Sequence, residues 1–358
     1  MKIAVIGGGS WGTALARLAA QKGHVVSLWA YEEEVVRSIL RVHENTRYLP
    51  GVPLPKTIVP SQDIQQVLEK ARYVLFVVPS EYARSILIRM APHLQQDIPI
   101  ISATKGIENE SLLLMHDVIR EGLNRATMDP IATLSGPSFA REAALDHPTA
   151  VTIATPNQRL GLRLQYLFST ANFKLFLSAD QVGVGLGGAL KNIIALSAGI
   201  GDGLGFGYNT KAILMARGLS EMMDLGVAMG ADPTTFYGLS GLGDLFLTCS
   251  GAQSRNRQVG EAIGKGVPLD RILKEMKMVA EGVSTTRAAY ALSKKYKVTM
   301  PIVNEVYQVL FQKKSPKASV TDLMAQAYGK EVSGGRPLRG HRALRGQRSP
   351  ARRSENNG

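Results

Sequence analysis

A glycine-rich turn between an apolar strand and an alanine-rich helix constrains the fold of this chain more than any other stretch. Four apolar residues, Ile3 to Ile6, are followed by Gly7, Gly9 and Gly12 in G-x-G-x-x-G spacing, and a helix-forming run begins at once. In this motif the first glycine allows a tight turn, the second lets the backbone approach a pyrophosphate, and the third lets helix and strand pack closely. Because the required strand and helix flank the motif, it predicts a dinucleotide-binding unit rather than an ordinary glycine-rich turn.

Strand-like and helix-like segments alternate through the first half of the chain. This alternation is typical of βαβ units and predicts an α/β fold with an N-terminal doubly wound, mostly parallel, Rossmann-like sheet. From about residue 180 the strand signal largely disappears, and the apolar periodicity indicates an all-helical C-terminal domain. The predicted strands are 2–6, 25–30, 73–78, 98–102, 131–135 and 150–154, and the predicted helices are 11–21, 82–91, 112–123, 186–198, 211–229, 257–263, 269–276, 285–295 and 303–311.

The length of 358 residues fits two domains, which we place at 1–180 and 181–330, followed by a basic tail at 331–358. The tail is rich in Gly, Pro, Ser and Arg, and this composition predicts disorder. Residues 330–358 carry eight basic and two acidic side chains, about half of the net excess of +13. Arginines spaced in this way could touch nucleic acid or anionic lipid. We favour a solvated extension and expect no nucleic-acid partner, because the tail lacks aromatic residues that stack on bases.

Cysteine usage and the amino-terminal segment predict a cytoplasmic protein. Cys249 is the only cysteine, so we expect no intrachain disulfide and no thiolate metal site, which favours a reducing compartment. No cationic segment followed by a long apolar stretch opens the chain, and no uninterrupted apolar run is long enough to span a bilayer. The six histidines show no ligand spacing, so the sequence predicts no metal site.

The end of the second predicted strand bears on which dinucleotide binds. Such folds usually place an acidic residue there to hold the ribose 2′-hydroxyl of NAD. In this chain Tyr31 occupies that point, Glu32 to Glu34 follow, and Arg37 lies six residues beyond Tyr31. The missing acid predicts tolerance of NADPH, with NADH also open. The three glutamates also suit the N-terminus of the next helix.

Two short stretches follow predicted strands at the sheet edge where doubly wound folds bind ligands. Lys105 follows the strand 98–102 and is placed to meet a ligand, although a loop lysine is more often solvated. Gly136 and Ser138 follow the strand 131–135 and offer backbone N–H and hydroxyl groups to polar ligand atoms. The alternative for this second stretch is a turn into a helix that Ser138 caps.

Lys191 interrupts the apolar helix predicted at 186–198. A lysine among leucines and isoleucines must extend to solvent or find a partner. If it is partnered in a cleft, its pKa can fall enough for proton transfer. The helix then runs into a glycine-dense segment at 199–209, which predicts close approach of the backbone to a neighbouring group.

A further polar group lies in the second half of the chain. Asp244 follows a Gly-Leu-Gly turn, and Ser254, Arg255 and Asn256 form a triplet. Such a triplet can hold a phosphate through the bidentate guanidinium. Taken singly, a capping aspartate and an exposed arginine explain these residues, but together with Lys191 and the glycine turn they indicate a ligand site.

Together these motifs resemble those of the bacterial NAD(P)-dependent glycerol-3-phosphate dehydrogenases. The order and spacing match from Lys2 to about Gly329, and the basic tail lies outside the family pattern. The resemblance implies reversible reduction of dihydroxyacetone phosphate to sn-glycerol 3-phosphate, the backbone precursor of phospholipids. It also implies NADPH or NADH as cofactor, no metal, and a homodimer. The matching segments are GGGSWGTA at 7–14, SGPSFA at 135–140, GALKN at 188–192, GLGD at 241–244 and SRNR at 254–257.

The resemblance implies a role for each matching position. Lys191 matches the catalytic proton donor and acceptor, which would stabilise and protonate the carbonyl oxygen as hydride arrives. Asp244 would orient Lys191 or a substrate hydroxyl, and Arg255 with Asn256 would hold the phosphate. The implied substrate contacts are Lys105, Gly136, Ser138, Lys191, Asp244, Ser254, Arg255 and Asn256. The implied dinucleotide contacts are Gly7, Gly9, Ser10, Trp11, Gly12, Tyr31, Tyr48, Lys105, Ala140, Arg255, Val279 and Glu281.

Two alternatives stay open on the sequence alone. A dehydrogenase of the 2-hydroxyacid or sugar-acid type also pairs such a fold with a Lys-Asn helix, but it gives no reason for the triplet at 254–256. The more distant alternative is a dinucleotide sensor without catalysis that uses its basic tail on nucleic acid or membrane.

Overall fold

The computed structural model describes residues 1–125, 130–276 and 279–325, and in these residues eight strands form one sheet. The strands are β1 (Lys2–Ile6), β2 (Val25–Trp29), β3 (Ile58–Ser61), β4 (Tyr73–Phe76), β5 (Ile100–Ser102), β6 (Ile131–Ser135), β7 (Thr149–Ala154) and β8 (Phe173–Ser178). Their spatial order is β3-β2-β1-β4-β5-β6-β7-β8. Across the described strands each neighbouring pair is parallel except β6 and β7, which confirms the mostly parallel sheet.

All six predicted strands form, and the structure has two further strands, β3 and β8, that the sequence patterns did not predict. Both unpredicted strands lie at the edges of the sheet. β3 has four residues and contains Pro60, which an edge strand tolerates because it needs no second ladder of N–H donors. β8 is exposed on one face, where Phe176 is 55% accessible to solvent. The short β3 with its proline therefore carries a weak strand signal, whereas β8 (FKLFLS) has apolar residues on its exposed face as well and so lacks a regular apolar–polar alternation.

Helices cover both faces of the sheet, as the doubly wound prediction requires. Ile3 and Val5 of β1 pack in one core cluster, and Ala4 and Ile6 pack in another on the opposite face. Because side chains alternate along a strand, both faces of β1 are buried. The helices of this half are α1 (Ser10–Gln21), α2 (Glu33–Val42), α3 (Ile64–Leu68), α4 (Ala83–Met90), α5 (Met115–Gly122), α6 (Ala140–Ala144) and α7 (Gln158–Phe168).

The prediction of a helix from residue 112 is wrong at its start. α5 begins at Met115, because Leu112 has a positive φ of 61° and Leu114 forms an antiparallel bridge with Ile107. A positive φ cannot continue a right-handed helix. The apolar periodicity of residues 112–114 therefore reflects burial of a loop and not a helical turn.

The second half of the described chain is helical, which confirms the predicted all-helical C-terminal part. Every helix predicted there forms, and two further helices, at 244–250 and 316–325, were not predicted. The helices are α8 (Gln181–Gly203), α9 (Tyr208–Ala228), α10 (Asp244–Ser250), α11 (Arg255–Gly264), α12 (Leu269–Glu275), α13 (Glu281–Tyr296), α14 (Pro301–Phe311) and α15 (Pro316–Ala325).

The glycines at the end of α8 serve helix packing. A Cβ atom on Gly199 would lie 2.0 Å from the carbonyl oxygen of Arg257, and one on Gly203 would lie 2.2 Å from that of Glu261. Gly260 of α11 is equally close to the carbonyl oxygen of Leu196. The predicted close approach is confirmed, and the approaching group is the backbone of α11.

α8 is also the central helix of the C-terminal half. Among the residues that the structure describes, it is the helix long and apolar enough to cross a membrane by length and composition. In that apolar window, 94% of the residues are buried inside the protein. The helix is therefore a core element here. The basic tail predicted at 331–358 lies outside the described residues.

Candidate active site

A cleft of about 420 Å³ lies where the sheet meets the C-terminal helices. It brings together residues from nine separate segments of the chain, and most of the predicted site residues line it. Those on its wall are Ser10, Trp11, Tyr48, Lys105, Ser138, Ala140, Lys191, Asp244, Ser254, Arg255, Asn256, Val279 and Glu281. Gly7, Gly9, Gly12, Tyr31 and Gly136 are the predicted residues that do not form its wall.

The glycine turn has the geometry that its spacing predicts. Gly7 has a φ of 126°, and a Cβ atom there would lie 2.4 Å from the carbonyl oxygen of Val77. On Gly12 the same atom would lie 1.9 Å from the carbonyl oxygen of Gly7. On Gly9 it would meet no atom of the described residues within 4 Å. Gly7 and Gly12 are thus required by packing, whereas Gly9 faces open space that a pyrophosphate could fill.

One further feature of this end of the cleft favours a dinucleotide, and a second holds the glycine turn in place. The indole Nε1 of Trp11 is buried and has no hydrogen-bond acceptor within the described part of the chain, so a bound ligand could satisfy it. The side-chain amide of Asn45 donates to the carbonyl oxygen of Gly8 and to Thr13 Oγ1, each at 2.8 Å. Sequence reasoning missed Asn45, because nothing local to residue 45 indicates a contact with the glycine turn.

Tyr48 connects the glycine turn to the residues after β2. Ser10 Oγ donates to its carbonyl oxygen at 2.6 Å, and the Tyr48 hydroxyl donates to Glu32 Oε1 at 2.6 Å. Tyr31 instead is 72% exposed and lies outside the cleft wall. The structure therefore brings Tyr48 and the glycine turn together but leaves the Tyr31 side chain at the surface.

A buried carboxylate joins two lysines at the base of the cleft. Asp244 is 1% exposed, and its two oxygens accept from Lys191 Nζ at 2.7 Å and from Lys105 Nζ at 2.6 Å. Lys191 Nζ also donates to Thr248 Oγ1 at 2.8 Å. Thr248 is absent from the sequence prediction, although it lies four residues after Asp244 on α10, the spacing at which two side chains share a helix face.

The surroundings of Lys191 lower its pKa, so that its ammonium group is a stronger acid than that of an exposed lysine. Burial lowers the pKa of Lys191 to about 8, although Asp244 raises it, and the positive charge of Lys105 lowers it further. A group with this pKa is mostly protonated at neutral pH and can also accept a proton. Lys191 therefore has the position and the acidity for reversible proton transfer.

The loop after β6 holds Lys105 from the other side. Lys105 Nζ donates to the carbonyl oxygen of Gly136 at 3.2 Å, and Ser138 Oγ donates to the same oxygen at 2.9 Å. Gly136 has a φ of 147°, and a Cβ atom there would lie 2.9 Å from Val151 Cα. The alternative in which Ser138 caps a helix is wrong, because the residue before α6 is Phe139 and no side chain caps it.

The three residues Ser254, Arg255 and Asn256 at the start of α11 make different contacts. Ser254 Oγ accepts from the backbone N–H of Arg257 and so caps α11. Asn256 is buried, donates to Asn192 Oδ1 at 2.9 Å and accepts from the backbone N–H of Gly282 at 3.0 Å. Arg255 is exposed at the mouth of the cleft, where it donates to the carbonyl oxygen of Val279 at 3.0 Å.

Glu281 begins α13 on the cleft wall beside Val279. Burial raises the pKa of Glu281 to about 6, although the positive charges of Arg255, Lys105 and Lys191 lower it. With Asp244 it is one of two carboxylates on a wall that also carries Lys105, Arg141, Lys191 and Arg255. The wall therefore has a cationic excess, which suits anionic ligands.

Cysteine and metal chemistry find little support in the described residues. Burial raises the pKa of Cys249 to about 12, so the thiol stays protonated. Within residues 1–125, 130–276 and 279–325, no group of three or more His, Cys, Asp and Glu side chains could hold a metal ion. Proton transfer and polarisation at this site are instead available from Lys191.

Comparison with known proteins identifies the family. A model of the N-terminal part of NAD-dependent glycerol-3-phosphate dehydrogenase matches residues 2–161, and a model of the C-terminal part matches residues 180–321. The chain belongs to the NAD-dependent glycerol-3-phosphate dehydrogenase family. This membership confirms the resemblance seen in the sequence.

Individual relatives agree with this assignment. Glycerol-3-phosphate dehydrogenase [NAD(P)+] of Citrifermentans bemidjiense is 51% identical over 91% of this chain and 97% of its own length. The protein of the same name from Syntrophotalea carbinolica is 47% identical over 93% of this chain and all of its own length. The crystal structure of glycerol-3-phosphate dehydrogenase from Coxiella burnetii has a TM-score of 0.87 and 38% identity, and covers 91% of this chain and 99% of its own.

Proposed function

We propose that the chain catalyses the reversible NAD(P)-dependent reduction of dihydroxyacetone phosphate to sn-glycerol 3-phosphate, which supplies the glycerophospholipid backbone. Family membership supports this reaction, and one structural observation carries the mechanism. The ammonium group of Lys191 lies buried at the base of a cationic cleft, held by Asp244 at 2.7 Å. The cofactor, when bound, supplies the hydride for the ketone carbon.

In this reaction Lys191 acts on the carbonyl oxygen of the substrate. As negative charge develops there, the ammonium group stabilises it and donates the proton, and in the reverse direction the amine accepts the hydroxyl proton. Asp244 holds Lys191 and Lys105 in place. The remote phosphate binds to the cationic mouth of the cleft, and this binding energy positions the reacting carbon. The substrate contacts that we propose are Lys105, Gly136, Ser138, Lys191, Asp244, Ser254, Arg255 and Asn256.

The dinucleotide fits the glycine-turn end of the cleft. Two observations among the described residues favour it there: the space at Gly9 is open, and Nε1 of Trp11 has no hydrogen-bond acceptor. The N-terminus of α1 begins at Ser10 and favours the negative charge of a pyrophosphate. The contacts that we propose are Gly7, Gly9, Ser10, Trp11, Gly12, Tyr31, Tyr48, Lys105, Ala140, Arg255, Val279 and Glu281.

The proposal is tested by initial rates with NADPH and NADH on dihydroxyacetone phosphate and on unphosphorylated ketoacids. We expect oxidation of reduced nucleotide with dihydroxyacetone phosphate and little with a ketoacid, because a ketoacid cannot use the phosphate site. A preference for ketoacids would favour a dehydrogenase of the 2-hydroxyacid type instead.

The K191A variant tests the role of the lysine. We expect turnover to fall roughly 10²- to 10⁴-fold, because positioned acid–base groups contribute about that factor. The dissociation constant for NADPH, measured by fluorescence, should change little, since Lys191 acts on the carbonyl end of the site. Near-normal turnover in this variant would contradict the mechanism.

We also infer a division into a dinucleotide-binding domain at 1–180 and a helical substrate domain at 181–330, with a homodimer in the cytoplasm as the working form. The bacterial dehydrogenase relatives and the single, buried cysteine support a reducing compartment. The homodimer rests on the family resemblance. Light scattering of the purified chain would test it, and a monomeric mass at working concentration would contradict it.

A further inference from the structure

The residues after β2 lie where dinucleotide-binding folds distinguish NAD from NADP. The end of β2 lies against the glycine turn: the backbone N–H of Gly7 donates to the carbonyl oxygen of Trp29 at 3.1 Å, and a Cβ atom on Gly8 would lie 2.6 Å from the Cβ of Ala30. A dinucleotide on that turn therefore has its adenosine ribose beside the residues that follow Ala30.

Each of the three glutamates at this point has a partner. Glu32 Oε1 accepts from the Tyr48 hydroxyl at 2.6 Å, and Glu33 pairs with Arg37 at 3.6 Å on the outer surface of α2. Glu34 pairs with Arg47 at 2.7 Å. Along the chain no arginine stands beside Tyr31, but folding brings Arg47 into this cluster from the loop after α2.

Arg47 is also next to the cleft. Its guanidinium carbon lies 5.2 Å from the centre of the Tyr48 ring, and Tyr48 lines the cleft. The Arg47 side chain is 32% exposed, and that of Glu34 is 59% exposed. An ion pair this exposed contributes little free energy, so Arg47 can exchange Glu34 for another anion at small cost.

On this geometry we propose that Arg47 breaks its ion pair with Glu34 and binds the 2′-phosphate of NADP(H). When NAD(H) is bound instead, Glu32 accepts a hydrogen bond from a ribose hydroxyl. The inference rests on the proposed function only in assuming a dinucleotide on the glycine turn. A charge-assisted guanidinium–phosphate bond is stronger than an exposed pair with a carboxylate, so the exchange favours the phosphate. The carboxylate of Glu32 keeps lone pairs for a hydroxyl donor and repels a phosphate.

The test is the R47Q variant of the full chain, with R37Q as matched control. Both substitutions remove an arginine from an exposed pair with one of the three glutamates, but it is Arg47 whose guanidinium lies over the ring of Tyr48. We expect R47Q to raise the dissociation constant and KM for NADPH roughly 10- to 100-fold and those for NADH less than about threefold. R37Q should change each value less than about threefold.

Two further variants sharpen the result. R47K keeps the charge but loses the bidentate fork, so its loss for NADPH should be smaller than that of R47Q. E34Q releases Arg47 and should lower the dissociation constant for NADPH without changing that for NADH. Equal losses for both dinucleotides in R47Q, or unchanged NADPH binding, would overturn the assignment. Because dinucleotide binding is measured by fluorescence without turnover, a failure of dihydroxyacetone phosphate reduction would be recognised separately.

Discussion

The hydrogen-bond partners of the Lys191 ammonium group are distant in the chain. Asp244 lies 53 positions away and Thr248 lies 57 positions away, yet both contact its ammonium group. Burial alone would lower the pKa of Lys191 further, and Asp244 opposes that effect. Burial and the charges of Asp244 and Lys105 therefore determine the pKa of Lys191, and in the proposed mechanism this pKa sets the pH range of proton transfer.

This balance predicts opposite pH dependences for the two directions of the reaction. In the proposed mechanism reduction needs the ammonium form of Lys191, so kcat/KM for dihydroxyacetone phosphate should fall as the pH rises through about 8. Oxidation of glycerol 3-phosphate needs the neutral amine, so its kcat/KM should rise through the same pH. Steady-state rates measured in both directions at about ten pH values between about 6 and 10 give these two pH profiles of kcat/KM.

A pair of substitutions separates charge from hydrogen bonding at Lys191. D244N removes the charge that raises the pKa of Lys191, so the pH at which reduction falls should move below that of the wild type. T248V removes a neutral partner, and its pH profile should stay near that of the wild type even if its rate is lower. Equal shifts in D244N and T248V would show that Asp244 acts through position alone.

At the scale of elements, the contact of α8 with α11 places the site. Lys191 and Asn192 lie on α8, and Asn256 lies on α11, so the distance between these helices decides whether the two asparagines meet. Glycines on both helices let the backbones touch. The density of glycine in residues 199–209 predicted a close approach, but the sequence contained no sign that the partner is α11.

Two alanine substitutions in the same turns of α8 should have opposite outcomes. In G199A the new Cβ would lie 2.0 Å from the carbonyl oxygen of Arg257, a backbone atom that cannot move without displacing α11. We expect a loss of about 1–3 kcal/mol in the free energy of unfolding, measured in urea. In G201A the nearest atom is 3.8 Å away, on Thr210, so the change should be neutral or stabilising by up to about 1 kcal/mol. A similar loss in both variants would contradict this account.

At the scale of the whole molecule, buried carboxylates make stability depend on pH. Glu221 of α9 is 5% exposed and accepts from the backbone N–H groups of Ile302 and Val303 at the start of α14. Burial raises the pKa of Glu221 to about 7, although these two hydrogen bonds lower it. Between pH 4.5 and about 7, Glu221 is therefore mostly protonated in the folded protein but mostly ionised in the unfolded chain.

The free energy of unfolding should accordingly decrease as the pH rises through this window, by up to about 3 kcal/mol from Glu221. Urea denaturation at several pH values measures this slope. E221Q should flatten it up to about pH 7, whereas E281Q should flatten only the part below about pH 6, where the pKa of Glu281 lies. A slope that E221Q leaves unchanged would show that Glu221 is ionised throughout.

The sequence was sufficient for the fold class, the order of the central elements and most residues on the cleft wall. Apolar periodicity and glycine spacing are local signals, because strand alternation, helical period and turn geometry depend on residues a few positions apart. Pattern reasoning failed where local signals were weak or misleading, as in the edge strand with Pro60 or the false helical turn at Leu112.

Only the tertiary structure decided which side chains meet. Asp244 bridges Lys105 and Lys191, and Asn45 supports the glycine turn, through contacts between residues 37 or more positions apart. Arg47 reaches Glu34, 13 positions before it, from the loop after α2. Such contacts depend on how helices and strands pack in three dimensions, and no periodicity in the chain encodes them. The residue types of the proposed site can therefore be predicted from the sequence, while their distances, and with them the pKa of Lys191, follow from packing.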